Sequence, residues 1–182
     1  MIFGPKTIAL KSGTQAIFRS PTTDDAAALL EYLRITAEET PYLLRYPEEC
    51  NMTMEEEVAF IAHTLRNPSV TMILCEINGV IAGNCRLERH NKLKTRHRAS
   101  IGIALKKEFW NLGIGTAMFT EMIRLAREAG ICQLELEVFE TNRRAMALYE
   151  KMGFRIAAEH PNAIRLRDGT MLCEYLMVKE LV

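Results

Sequence analysis

With 182 residues, 48% of them hydrophobic and 25% charged, the chain is long enough to bury a real core and reads as one globular domain. Its 23 basic and 23 acidic residues cancel, so no overall field exists to hold nucleic acid or an anionic membrane surface. The N-terminus lacks a basic stretch followed by a long apolar one, and no window reaches the length of a membrane span; a cytoplasmic protein is expected, with no membrane partner.

Ala16 to Arg19 reads as a short first strand. Pro21-Thr22-Thr23-Asp24-Asp25 is a turn, with Thr23 or Asp24 the expected cap of a helix over residues 25–38 that ends at Thr40-Pro41. Residues 40–51 form a loop whose Tyr42, Leu43 and Leu44 give it more apolar surface than a plain connector needs. Thr53-Met54-Glu55-Glu56 is a capping box, in which hydroxyl and carboxylate satisfy each other's free backbone donors; its helix runs to about Arg66 and stops at Asn67-Pro68. Val70–Ile77 and Val80–His90 are strands joined by the hairpin turn Asn78-Gly79. Residues 91–97 form a basic, solvated tip before a strand at Ala99–Leu105.

Gly113–Glu128 carries Ile114, Ala117, Met118, Met122, Leu125 and Ala126 on one broad face at helical spacing, and Gly130 stops it. Ile131–Phe139 alternates, with Leu134, Leu136 and Val138 on one side and Glu135, Glu137 and Phe139 on the other. Asn142 caps a helix to about Met152, closed by Gly153. Strands near 154–160 and 171–179 follow, joined through Pro161-Asn162 and Asp168-Gly169. The order β α α β β β α β α β β predicts a single mixed, mostly antiparallel sheet of about seven strands flanked by about four helices, an α/β (α+β) fold.

Cys50, Cys75, Cys85, Cys132 and Cys173 are odd in number and form no C-x-x-C, so they read as reduced, buried thiols. The four histidines are dispersed without metal-ligand spacing, and no metal is expected.

The chemistry concentrates between Trp110 and Phe154. Gly113 and Gly115 open a helix whose first-turn amides lack intrahelical acceptors, a ready nest for a diphosphate. Read alone, the same glycines fit a plain helix-start turn equally well. Neither the dinucleotide fingerprint nor the G-x-x-x-x-G-K-[ST] loop is present.

Trp110-Asn111-Leu112-Gly113-Ile114-Gly115, followed by Leu136-Glu137-Val138, Asn142, Ala145, Leu148-Tyr149 and Gly153-Phe154, resembles the GNAT acyl-CoA N-acyltransferase superfamily: its Q/R-x-x-G-x-G/A motif, then its "LEV…N…A…LY…GF" block. The resemblance covers Ile101–Phe154, about 55 residues, and Trp110 stands where the family usually has Gln or Arg. The resemblance implies an acyl-CoA N-acyltransferase fold and a transfer from acetyl-CoA to the primary amine of a small molecule or a protein N-terminus, by direct attack in a ternary complex. It implies that the backbone of Asn111, Leu112, Gly113, Ile114, Gly115 and Thr116 binds the coenzyme diphosphate. Ile103, Ala104 and Leu105 would offer main-chain groups to the pantetheine arm and thioester, and Asn142 would contact the pantetheine region while capping its helix.

Tyr149, which alone reads as an amphipathic core tyrosine, would protonate the departing thiolate. For the base, Glu137 comes first and Glu88 second, with water as a third route. An exposed sheet edge would suit a homodimer. Two rival readings are a coenzyme-binding sensor without turnover and a protein-interaction module using the apolar 41–46 loop.

Overall fold

The computed structural model describes residues 2–11 and 13–181. Eight strands form one sheet: β1 (Lys6–Ala9), β2 (Gln15–Arg19), β3 (Val70–Ile77), β4 (Val80–Arg89), β5 (Arg98–Leu105), β6 (Gln133–Phe139), β7 (Arg155–Arg165) and β8 (Met171–Glu180). Four α-helices accompany them: α1 (Ala26–Glu39), α2 (Met54–Arg66), α3 (Ile114–Glu128) and α4 (Arg143–Lys151). The hydrogen-bonded order is β1-β2-β3-β4-β5-β6-β8-β7. β5 and β6 pair in parallel, as a strand–helix–strand crossover through α3 requires, while β1–β2, β2–β3, β3–β4, β6–β8 and β7–β8 are antiparallel. No helix of the described residues is long and apolar enough to cross a membrane.

The chain forms two compact units. One runs to Glu88 and resumes over Gly102–Met122; the other comprises Arg89–Ile101 and the chain from Ile123 onward. In the first, α1 and α2 cover β3 and β4 through Ala26, Leu29, Tyr32, Ile61, Met72, Leu74 and Ile81. Central β3 is buried on both faces, which explains its unbroken apolar run. In the second unit β6 alternates, burying Leu134, Leu136 and Val138. Phe139 is buried as well, on the opposite side from Val138.

The expected elements differ from the fold in four places. β1 is an eighth strand, of only four largely exposed residues (KTIA) at a sheet edge, too short to show alternation. Neither Thr23 nor Asp24 caps α1: a 3₁₀ turn at Thr23–Asp25 intervenes, Asp25 takes the cap position of α1, and the Thr22 amide donates to the Asp25 carboxylate at 2.7 Å. Pro161-Asn162 is not a turn between strands. It lies inside β7, where the register against β8 shifts between His160 and Ile164 and Asn162 has φ 56°; a bulge absorbs the proline that cannot donate to the ladder. Cys132 is exposed, whereas Cys75 and Cys85 are buried.

Other local readings agree with the structure. Thr53 Oγ1 accepts from the Glu56 amide at 3.2 Å while the Thr53 amide donates to Glu56 Oε2 at 2.8 Å. Asn78 and Gly79 have φ 51° and 79°, the positive pair a two-residue hairpin turn demands.

Candidate active site

In the first unit the glycine motif forms a turn and a helix start. Gly113 has φ 85°, a conformation natural to glycine, and Asn111 has φ 66°, which its short polar side chain tolerates. The Ala117 amide donates to the Gly113 carbonyl at 3.1 Å, so the helical hydrogen bonding of α3 begins at Gly113. A Cβ built at Gly113 would lie 3.7 Å from Lys11 Cγ, an ordinary contact. The turn therefore needs glycine for its φ, and an exposed lysine lies over it. Lys11 stands 102 positions before Gly113 in the sequence, and nothing in its surroundings marks it there.

The strand leading into this turn is braced from two sides. Ala104 O accepts from the Tyr32 hydroxyl at 2.8 Å, and the Lys106 amide donates to Ala82 O at 2.9 Å. The Asn84 amide also donates to the Tyr32 oxygen, so a fully buried phenol from α1 bridges β4 and β5. Burial drives that hydroxyl's pKa well above its ordinary value, which keeps it a donor. Backbone polar groups alternate along a strand. With Ala104 and Lys106 turned toward β4, the amides and carbonyls of Ile103 and Leu105 point to the opposite edge.

Leu105 O accepts from Trp110 Nε1 at 3.0 Å. Trp110, the departure from the usual Gln or Arg, thus ties the strand end to the start of the glycine turn. The parallel ladder between β5 and β6 covers Arg98–Ser100 against Gln133–Glu135, and residues 103–105 lie beyond it.

In the second unit, Asn142 Oδ1 accepts from the Ala145 amide at 3.2 Å, the expected cap of α4. Tyr149 lies on that helix with 6% of its surface exposed, its ring 6.2 Å from that of Phe154 and tilted by 56°. Glu137 is exposed on β6. Glu174 is held above the ordinary carboxylate range by burial first and by the Glu137 charge second, with His160 opposing; these three residues lie on one face of β6, β8 and β7. Glu88, in the first unit, pairs with Arg86 at 2.9 Å and its side chain is 48% exposed.

The turn with left-handed Asn111 and Gly113 thus leads directly into the N-terminus of α3. Residues 31–154 match the Acetyltransferase (GNAT) family. The chain belongs to the GNAT acetyltransferase family. As a GNAT enzyme it uses acetyl-CoA and transfers the acetyl group to an amine.

Among curated GNAT relatives, the L-amino acid N-acetyltransferase AaaT of Escherichia coli is 26% identical over 113 residues, 62% of this chain and 69% of AaaT. The [ribosomal protein bS18]-alanine N-acetyltransferase of E. coli is 34% identical over 67 residues, 37% of this chain and 45% of that one. The crystal structure of a GNAT acetyltransferase from Streptococcus pneumoniae superposes with a TM-score of 0.85 at 28% identity, covering 91% of this chain and 99% of that one. YncA from Salmonella typhimurium, solved with acetyl-CoA, shares the fold at 17% identity with a TM-score of 0.78, over 92% of this chain and 94% of YncA.

Proposed function

We propose that the chain is one GNAT domain that passes acetyl from acetyl-CoA directly to the primary amine of a small molecule or a protein N-terminus. The amine nitrogen bonds to the acetyl carbon as the carbon–sulfur bond breaks. The amine gives up a proton to a base, and the departing sulfur takes one from an acid. The observation that carries this reading is the left-handed Gly113 directly ahead of α3, with the first helical bond closing from Ala117.

In this reading the amides from Leu112 to Thr116 hold the diphosphate, and Lys11 adds a cation beside them. The outward amide of Leu105 donates to the thioester carbonyl, and the Trp110 indole keeps it aimed. Tyr149 is the acid. Glu137 takes the amine's proton, directly or through water. Glu88 is the weaker candidate because Arg86 already engages its carboxylate. The names of AaaT and the bS18 enzyme favour an α-amine as acceptor, on a free amino acid or at a chain terminus. A cytoplasmic location and a homodimer through the exposed β7 edge belong to the same proposal; a monomer in light scattering removes the second.

Thiol release on mixing acetyl-CoA with a panel of amines tests the reaction. Gly113→Val tests the placement: its φ is closed to a β-branched residue, so acetyl-CoA affinity should fall about tenfold or more while the far-ultraviolet spectrum is retained. Unchanged affinity in calorimetry contradicts it.

A further inference from the structure

On the face of the second unit's sheet that carries Glu137, the strand register sorts the charged side chains into two groups. Glu135 accepts from Arg98 at 3.2 Å and stands 3.0 Å from His90 Nε2, and Arg155 pairs with Glu180 at 2.7 Å; these charges answer one another. Glu137, Glu174 and His160 remain. Glu174 stands opposite Phe139 on β6 and opposite His160 on β7, while Glu137 stands opposite Leu176, two residues further along β8. Glu137 and Glu174 are therefore diagonal neighbours on adjacent strands, about 7–8 Å apart at the backbone with side chains on one face, and His160 is the direct neighbour of Glu174 on its other side. The nearby acids are turned elsewhere: Glu159 stands opposite Tyr175 on the other face, and Glu140 accepts from the Cys173 amide at 3.0 Å. The three residues form a row that begins at the assigned base and ends on the exposed edge strand β7.

Burial changes along this row. Glu137 and His160 are exposed, and Glu174 between them is half-buried. Burial first and the Glu137 charge second favour the protonated form of Glu174, with His160 opposing. A proton on Glu174 is thus favoured most when Glu137 is ionised, which is the state Glu137 must regain to act as a base again. Amine acetylation makes that recovery necessary. Between ammonium and amide the nitrogen loses two protons. One makes good the proton that Tyr149 gives to the departing sulfur, and the other leaves for solvent. A base still holding the first cannot take the second.

We infer that Glu174 is the proton partner of Glu137: the proton lifted from the amine passes from the Glu137 carboxylate to that of Glu174, then to His160 and out to solvent, directly or through intervening water. Each transfer breaks one bond to hydrogen and forms one, and the row ends as it began. Glu174 acts through Glu137 and does not touch the amine. This deepens the transfer reading above and rests on its choice of Glu137 as base.

The test is kcat against pH in the thiol-release assay. Glu174→Gln should lower kcat about ten- to a hundredfold, with acetyl-CoA affinity and the KM of the acceptor unaltered. As pH falls, Glu174 fills with solvent protons and the relay stalls. Removing the carboxyl held above the ordinary range should therefore move the acidic limb to lower pH, and Glu174→Asp should restore part of both effects. His160→Gln removes the opposing charge, so its acidic limb should move to higher pH, and added imidazole should recover turnover. An unaltered kcat and pH profile in Glu174→Gln, with turnover lost in Glu137→Gln, overturns the relay alone. Unaltered turnover in Glu137→Gln removes the base assignment and the relay with it, so the two failures are distinguishable.

If Glu174→Gln does not fold, the unaltered protein decides the matter when imidazole is raised at constant pH. Turnover independent of imidazole supports a built-in relay, and turnover that rises with imidazole shows that solvent carriers perform this step and overturns it.

Discussion

At Trp110 one indole N–H joins the end of β5 to the glycine turn. Trp110→Phe keeps the ring and removes the donor. One neutral hydrogen bond is worth about 1 kcal/mol, so acetyl-CoA affinity should weaken about fivefold, read by calorimetry, with little change in unfolding temperature. Gly83 is a different kind of glycine from Gly113. A Cβ there would fall 2.2 Å from Leu105 Cδ2 and 2.7 Å from Ala104 O. The leucine end can swing aside, but the backbone carbonyl cannot. Gly83→Ala should therefore push β5 away from β4, destabilise the fold by about 1–3 kcal/mol in denaturant titration, and weaken coenzyme binding with it. Tyr149→Phe changes only the proton donor, so turnover should drop while the acetyl-CoA dissociation constant holds; equal turnover would remove the acid assignment.

At the scale of elements, the entry to α1 is fixed by charge. Arg19 on β2 gives two 2.7 Å bonds to the two oxygens of Asp25 and a 3.0 Å bond from Nε to Glu76 on β3. The Arg19 guanidinium, against the opposing effect of burial, holds Asp25 below the ordinary carboxylate range. A depressed folded pKa means that this pair's stability is fully present above the ordinary carboxylate pKa and is lost as pH falls through the folded value. Arg19→Gln should cost about 1–3 kcal/mol at neutral pH, and the difference from the unaltered protein should shrink on acidification, measured by urea unfolding across pH. The cap of α2 is simpler: Thr53→Ala should cost about 1 kcal/mol, through the one amide it leaves unsatisfied.

Across the whole molecule the thiols divide by burial. Burial pushes Cys75 up to about 12, with Glu76 adding to it, and raises Cys85 as well. The thiolate is the reactive form, so both should resist a maleimide in the native protein and react on unfolding, while exposed Cys132 reacts at once. Early labelling of Cys75 or Cys85, located by mass spectrometry of the peptides, would contradict the packing of β3 against β4.

Local chemistry reads directly from a chain, and most elements did so here. The Thr53 capping box, the Asn78-Gly79 hairpin, the glycine entry to α3 and the cap at Asn142 each depend on residues within four positions of one another, so the sequence by itself determined them. It also determined the family, because the glycine turn and the Leu136–Phe154 block are local patterns at a fixed separation. It missed β1, whose four exposed residues become a strand only by pairing with β2. It took Pro161-Asn162 for a turn, because a bulge and a turn ask for the same residues and only the partner strand distinguishes them. The site divides in the same way. Gly113 was legible, but Lys11 over it and Tyr32 between β4 and β5 are meetings of residues far apart in the chain. Only the tertiary structure decided these, because hydrogen bonds and burial act through space and leave no spacing in the sequence to read.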